Sequence, residues 1–211
     1  MFSVIFPGQG SQFVGMGKDL HEKYDLVKKL FKEADDVLDV SLSKIILEGP
    51  KEELDFTTNT QPAIFLISYS IFNVVKKEFN IDLNSAKYFA GHSLGEYSAL
   101  SSAGYLSFSD TIKLLRTRGD AMQNAVPKGE GGMLAILGSS VEMIEKILKD
   151  NQNNLIAQIA NDNSEGQIVI SGKNTDLDKL IEILKINNIK NIKLPVSAPF
   201  HCKLMRKATE I

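Results

Sequence analysis

The sequence predicts an α/β protein: a parallel-sheet α/β/α large domain that carries a nucleophile elbow, with a ferredoxin-like βαββαβ subdomain inserted in it. Three observations carry this. The run Lys87-Tyr88-Phe89-Ala90 reads as a short buried strand and leads directly into Gly91-His92-Ser93-Leu94-Gly95 and a helical stretch from Glu96. That is the strand, turn, helix order in which a strained turn lifts a serine hydroxyl above a sheet edge. A second apolar run, Phe2 to Phe6, ends in Pro7-Gly8-Gln9-Gly10 and suits a buried strand feeding a tight loop. Beyond Pro127 short elements alternate: strand 133–137, helix 141–149, strands 155–160 and 167–171, helix 175–186, strand 190–194. This is the βαββαβ order.

Between the first two strands the pattern is mostly helical up to about residue 80. Its clearest helix opens with Thr60 as N-cap and Pro62 near the first helical position, and puts Ile64, Ile67, Ile71, Val74 and Val75 on one core-facing side. A further helix runs from Asp110 to about Ala125. Gly129, Gly131 and Gly132 mark a linker, so the expected division is a large domain over 1–127, the small subdomain over 128–195, and a return to the large domain over 196–211. A large domain that ends there is expected to lack its closing half.

Composition narrows the function. The chain has 211 residues with 24 basic and 26 acidic side chains, so no positive excess is available for a phosphate backbone or an anionic membrane surface. The longest apolar window, Pro62 to Val75, is interrupted by Ser68, Tyr69, Ser70 and Asn73 and is too short to span a bilayer. No export signal precedes Lys18, and a single cysteine fits a reducing compartment. Neither nucleic acid nor membrane is an expected partner, and a cytoplasmic location is.

The chemistry centres on Ser93 in the Gly91-x-Ser93-x-Gly95 pattern. A serine needs a base to take its proton, and the histidines are His21, His92 and His201. His21 lies in a charged early helix and reads as solvated. His92 adjoins Ser93 and reads as packing or fixing the turn. His201 follows the proline-rich stretch Pro195 to Phe200 and is either the base or an ordinary surface histidine. Cys202 has no electropositive context and reads as structural. No cluster has metal-ligand spacing. On the helix from Asp110, Leu114, Leu115, Ala121, Met122 and Ala125 share one face, with Arg118 in its middle, whereas Lys113, Arg116, Asp120 and Gln123 lie on the polar face and Arg116 reads as solvated. A buried arginine must be paired. Arg118 therefore either meets an internal carboxylate or receives an anionic ligand, for which an acid-bearing acyl group suits its fork of donors. The loop Pro7 to Gln12 lacks the lysine of a phosphate-binding loop. It can instead offer a backbone N–H that joins that of Leu94 in holding an oxyanion.

These residues converge on one family. Phe6-Pro7-Gly8-Gln9-Gly10-Ser11-Gln12, Gly91-His92-Ser93-Leu94-Gly95-Glu96-Tyr97, Arg118-Gly119 with Met122-Gln123, Asn161 to Gln167, and Val196-Ser197 up to His201 resemble the bacterial malonyl-CoA:acyl carrier protein transacylases. The chain is also similar to the acyltransferase domains of polyketide and fatty acid synthases. The resemblance implies Ser93 as nucleophile, His201 as general base, the backbone N–H groups of Gln9 and Leu94 as oxyanion hole, and Arg118 as partner of the malonyl carboxylate. It further implies that Asn163, with Asn161, lines the pantetheine entrance, and that Leu94 and Phe200 mark malonyl rather than methylmalonyl selectivity. The substrates would be malonyl-CoA and holo acyl carrier protein in fatty acid biosynthesis, with no metal or other cofactor. Members of the family are usually longer than this chain, which places the residue that orients His201 outside it. A serine esterase or thioesterase, and an inactive fragment that only binds acyl carrier protein, are the alternatives.

Overall fold

The computed structural model describes residues 1–127, 129–196 and 198–211; Ser197 of the last motif lies outside them. The chain forms two compact units, Met1–Asp120 and Ala121–Ile211. In the first, β1 (Ser3–Phe6) pairs in parallel with β2 (Tyr88–Gly91), in register from Ser3↔Tyr88 to Phe6↔Gly91. Parallel neighbours require a long crossover. Here it comprises α1 (Lys18–Lys23), α2 (Asp25–Leu38), α3 (Leu42–Glu48), α4 (Lys51–Asp55) and α5 (Thr57–Glu78), and α6 (Gly95–Ser102) and α7 (Phe108–Asn124) follow β2. Phe31, Leu42, Ile46, Leu54, Phe65, Leu66, Ile112 and Leu115 are buried together in the main core of this unit, and Leu94, the residue after Ser93, is buried with them.

Both strands were expected to be buried, yet each is covered on one face. Val4, Phe6 and Phe89 pack with Phe72 and Ala99, while Ile5, opposite Ala90 in the register, is 78% exposed. Side chains alternate across a strand, and among the described residues only the inward row of this pair has helices against it.

The second unit follows the order β3 (Gly131–Leu137), α8 (Val141–Asp150), β4 (Ala157–Ser164), β5 (Gln167–Lys173), α9 (Asn174–Ile186), β6 (Lys190–Lys193), closing with the one-turn α10 (Arg206–Thr209). Its strands form an antiparallel sheet of order β4-β5-β3-β6, the ferredoxin-like arrangement. Leu134, Ile136, Ile168 and Ile170 meet Ile144, Leu177, Leu180 and Leu184 of the two helices. The intervening positions Met133 and Val169 pack instead with Met122, Ala198, Phe200 and Met205, as the period of two requires. The strand expected to end at residue 160 continues to Ser164: Asn161 is paired with Val169 within β4, and the polar stretch carries the ladder up to the turn before Gln167.

Helix α5 starts at Thr57, three residues before the expected cap. Thr60 is not the cap: its hydroxyl donates to the carbonyl oxygens of Leu54 (2.5 Å) and Phe56 (3.0 Å), while Asn59 Nδ2 donates to the Glu53 carbonyl (2.8 Å). These bonds tie the first turn back to α4, and Pro62 lies inside the helix rather than at its start. The expected core face is also displaced: Ile64 and Val74 are buried, but Ile71 is 46% exposed and Phe65 and Phe72 are buried. Helix α7 is opened by Ser107, whose Oγ accepts from the Asp110 N–H (3.0 Å) as a side-chain N-cap and donates to the Asp110 carboxylate (2.6 Å). Its buried row is Thr111, Ile112, Leu115, Gly119 and Met122, and Leu114, expected inside, is 45% exposed.

At Gly119 the two helices touch through their backbones. A Cβ there would lie 2.7 Å from both the Thr57 carbonyl oxygen and the Thr58 Cα. In a helix interior Gly→Ala normally gains about 1 kcal/mol, but the overpacking expected here costs about 1–3 kcal/mol and backbone atoms cannot move aside alone. Gly119→Ala is therefore expected to lower the unfolding free energy in denaturant titration, and a stabilised variant would contradict the close crossing.

Candidate active site

Because β1 and β2 are parallel and in register, the loops that follow them leave the same sheet edge, the usual place for a ligand in α/β folds. Gln9 stands three residues beyond Phe6 and Leu94 three beyond Gly91, its register partner. The loops are pressed together: a Cβ on Gly8 would lie 2.5 Å from His92 Nδ1, one on Gly95 2.6 Å from the Phe6 carbonyl oxygen, and one on Gly91 1.9 Å from the Gly95 carbonyl carbon. Both glycines of the G-x-S-x-G pattern are thus demanded by backbone approach.

Ser93 has φ 53°, left-handed for a residue that is not glycine, the strain expected where a turn aims a reactive side chain. The turn is pinned by His92 N–H donating to the Phe6 carbonyl (3.1 Å), Gly95 N–H to the His92 carbonyl (2.9 Å) and Glu96 N–H to the Ser93 carbonyl (3.1 Å). His92 itself is exposed, and its backbone bonds and its contact with Gly8 fit the turn-fixing role. His21, read as solvated, is half-buried, its ring 4.9 Å from that of Phe31.

Arg118 points into this site. Its Nη2 donates to Ser93 Oγ (3.1 Å), its Nη1 to Gln61 Oε1 (2.5 Å), and its guanidinium carbon lies 5.7 Å from the centre of the Tyr97 ring, within cation–π range. Burial pushes the Arg118 pKa below its ordinary value, opposed by the nearby Tyr97 and Glu96. Both hydrogen-bond acceptors are neutral, and the ion pairs among the described residues do not include Arg118. Of the two possibilities left open by the sequence, a direct ion pair between Arg118 and a carboxylate is not found among the described residues. Arg116 differs from its expectation. It is half-buried, with Nη1 donating to Asn59 Oδ1 (2.6 Å) and Nε 3.7 Å from Asp120 Oδ2, while Asp120 Oδ1 accepts from the Thr58 hydroxyl (2.7 Å). It ties α7 to the first turn of α5, which sequence alone does not show because Asn59 lies 57 residues away.

Two residues missed in the sequence complete the site. Thr57 and Gln61, 0% and 1% exposed, link Arg118 to the loop after β1. Gln61 Nε2 donates to Thr57 Oγ1 (3.0 Å), and Thr57 Oγ1 donates to Gln9 Oε1 (2.9 Å). The available signal was Gln61 at the head of the apolar run Pro62-Ala63-Ile64-Phe65-Leu66: an amide next to five consecutive apolar residues is buried with them and needs a partner inside.

The remaining candidates belong to the second unit. His201, exposed and at φ 57°, sits in the turn after Phe200, which is held by burial of Phe200 and by Ser171 Oγ donating to the Phe200 carbonyl. Beside it, Cys202 Sγ donates to the Pro199 carbonyl (3.2 Å), and burial pushes the thiol pKa up, which suits the structural role expected for it. Asn163 is exposed at an irregularity in the β4–β5 ladder. Among the described residues no His, Cys, Asp or Glu cluster is placed to hold a metal ion, and no helix is long and apolar enough to cross a membrane.

Residues 3–211 match the family model described as acyl transferase domain. A malonyl CoA-acyl carrier protein transacylase of Bacillus subtilis (strain 168) is 47% identical over 208 residues, which cover 98% of this chain and 64% of that protein. The crystal structure of an acyl-carrier-protein-S-malonyltransferase from Bartonella henselae superposes with TM-score 0.94 at 44% identity, covering 100% of this chain and 68% of its own. A malonyl-transacylase solved in complex with a holo type II polyketide acyl-carrier protein gives TM-score 0.92 at 39% identity, covering 99% of this chain and 67% of its own. The chain thus spans about two thirds of the length of these relatives. With the elbow, the flanking loop and the aimed arginine all in place across the matched residues, this chain belongs to the acyl transferase domain family.

Proposed function

We propose that this chain carries the reacting residues of an S-malonyltransferase that moves the malonyl group of malonyl-CoA to the phosphopantetheine thiol of acyl carrier protein, in fatty acid biosynthesis. The observation that carries the reading is the Arg118 guanidinium, 3.1 Å from Ser93 Oγ and held by neutral acceptors. A cation so placed beside a nucleophile matches an acyl group with a carboxylate at its far end, which it can bind through paired N–H donors. An esterase that passes its acyl group to water has no use for it.

In this reading His201 takes the Ser93 proton, and the serine oxygen attacks the thioester carbonyl. The negative charge that develops on the carbonyl oxygen is met by the backbone N–H groups of Gln9 and Leu94. The C–S bond breaks, and CoA leaves as its thiol with the proton returned by His201. The carrier thiol then gives its proton to His201 and attacks the seryl ester, and Ser93 Oγ recovers a proton as the malonyl thioester departs. Atoms and charge balance without a metal or redox cofactor. Asn163 is assigned to the path of the pantetheine arm, and the cytoplasm to the reaction, in keeping with the lone cysteine. Relatives named for this transfer, one of them solved with an acyl-carrier protein, support the reading.

Intact-mass measurement after mixing with malonyl-CoA tests it. A malonyl adduct is expected on the wild-type chain and not on Ser93→Ala, and added acyl carrier protein should remove it. Rapid discharge to water that ignores the carrier would favour the esterase. Arg118→Ala is expected to slow malonyl loading about a hundredfold while changing acetyl loading far less. Equal losses for both acyl groups would remove the carboxylate-binding role.

A further inference from the structure

The polar chain beneath the site has a direction. Arg118 Nη1 donates to Gln61 Oε1, Gln61 Nε2 donates to Thr57 Oγ1, and Thr57 Oγ1 donates to Gln9 Oε1. Thr57 owns one hydroxyl proton, and the acceptor Gln9 Oε1 takes it, so its lone pairs face the Gln61 amide N–H₂. A glutamine amide presents N–H₂ on one side and C=O on the other. With the N–H₂ end committed to Thr57, the C=O end is turned to Arg118. Were the Gln61 amide reversed, its N–H₂ would confront a guanidinium that has donors only, and the cation would lose its amide acceptor. Thr57 and Gln61 are buried at 0% and 1% exposure, where an unmade hydrogen bond is costly.

We propose that Thr57 is a positioning residue for carboxylate selectivity: its hydroxyl fixes the Gln61 amide so that Arg118 is held in place for an acidic acyl group, and couples that cation to the Gln9 loop. The inference rests on the acyl-transfer reading above and deepens it. Thr57 touches neither acyl group nor nucleophile; it acts through Gln61 and Gln9.

Thr57→Val removes the hydroxyl at nearly constant volume. It is expected to lower malonyl loading of Ser93 about tenfold to a hundredfold with a much smaller effect on acetyl loading, so that the malonyl-to-acetyl ratio falls. Thr57→Ser should restore the ratio, and in an Arg118→Ala background Thr57→Val should leave it unchanged. A purely structural threonine would lower both loadings alike. Equal losses, or an undiminished effect without Arg118, overturn the proposal. If Thr57→Val does not fold, Gln9→Met cuts the same chain at its half-buried end, and an unchanged ratio there overturns it as well. A wild-type chain that accepts neither acyl group speaks against the proposed reaction rather than the relay. The side-chain amide NMR signals of Gln9 and Gln61 then decide: they shift in Thr57→Val and return in Thr57→Ser if the relay exists, and signals that stay in place overturn it.

Discussion

The structure of the site depends on where one positive charge is kept. Arg118 stands half-buried on α7 with an amide oxygen, a serine hydroxyl and an aromatic face around it. An arginine does not shed its charge at neutral pH, and withdrawing it from water without a counter-charge is costly. That cost is met through construction: α7 crosses the first turn of α5 at Gly119 closely enough that Arg118 reaches Gln61, and Arg116, two residues earlier, anchors the same crossing through Asn59. In the proposed reaction the incoming carboxylate supplies the direct ion pair that Arg118 makes with none of the described residues.

The nucleophile is subject to a second constraint. Ser93 occupies a left-handed backbone conformation that survives only if its surroundings over-determine it. They do so from two sides. Leu94 is sunk in the main core of the first unit, fixing the chain just beyond the serine, and Gly91 and Gly95 allow the turn to close against itself and against the end of β1. The parallel register of β1 and β2 then brings the Gln9 loop beside the elbow. Sheet pairing, core burial and glycine spacing therefore place the serine, while the helix crossing places the cation.

Much of this was legible in the sequence, for identifiable reasons. The elbow could be read because close backbone approach leaves glycines at fixed spacing, and the ferredoxin-like order because its strands and helices alternate in period within a short stretch. Arg118 emerged from helical periodicity although part of the wheel was wrong: Leu114 faces outward, and the buried row runs through Thr111, Leu115 and Met122, the row that also contains Arg118. What could not be read depends on residues far apart. The start of α5 was misplaced because Asn59 and Thr60 bond back to α4 instead of Thr60 capping the helix. Arg116 looked solvated because its acceptor lies on another helix. The Asn161–Asn163 stretch fell beyond the expected end of its strand because strand propensity is weak for asparagine, and pairing with β5 overrides it. The open face of β1, with Ile5 exposed, departs from the buried-strand reading because composition reports apolar character and not what covers it.

The most direct measurement is a crystal structure of the chain carrying a malonyl group on Ser93. The terminal carboxylate is expected within hydrogen-bonding distance of the Arg118 guanidinium, replacing its bond to Ser93 Oγ. A carboxylate left in solvent, with Arg118 still directed at Gln61 and the serine oxygen, would contradict the carboxylate-binding role.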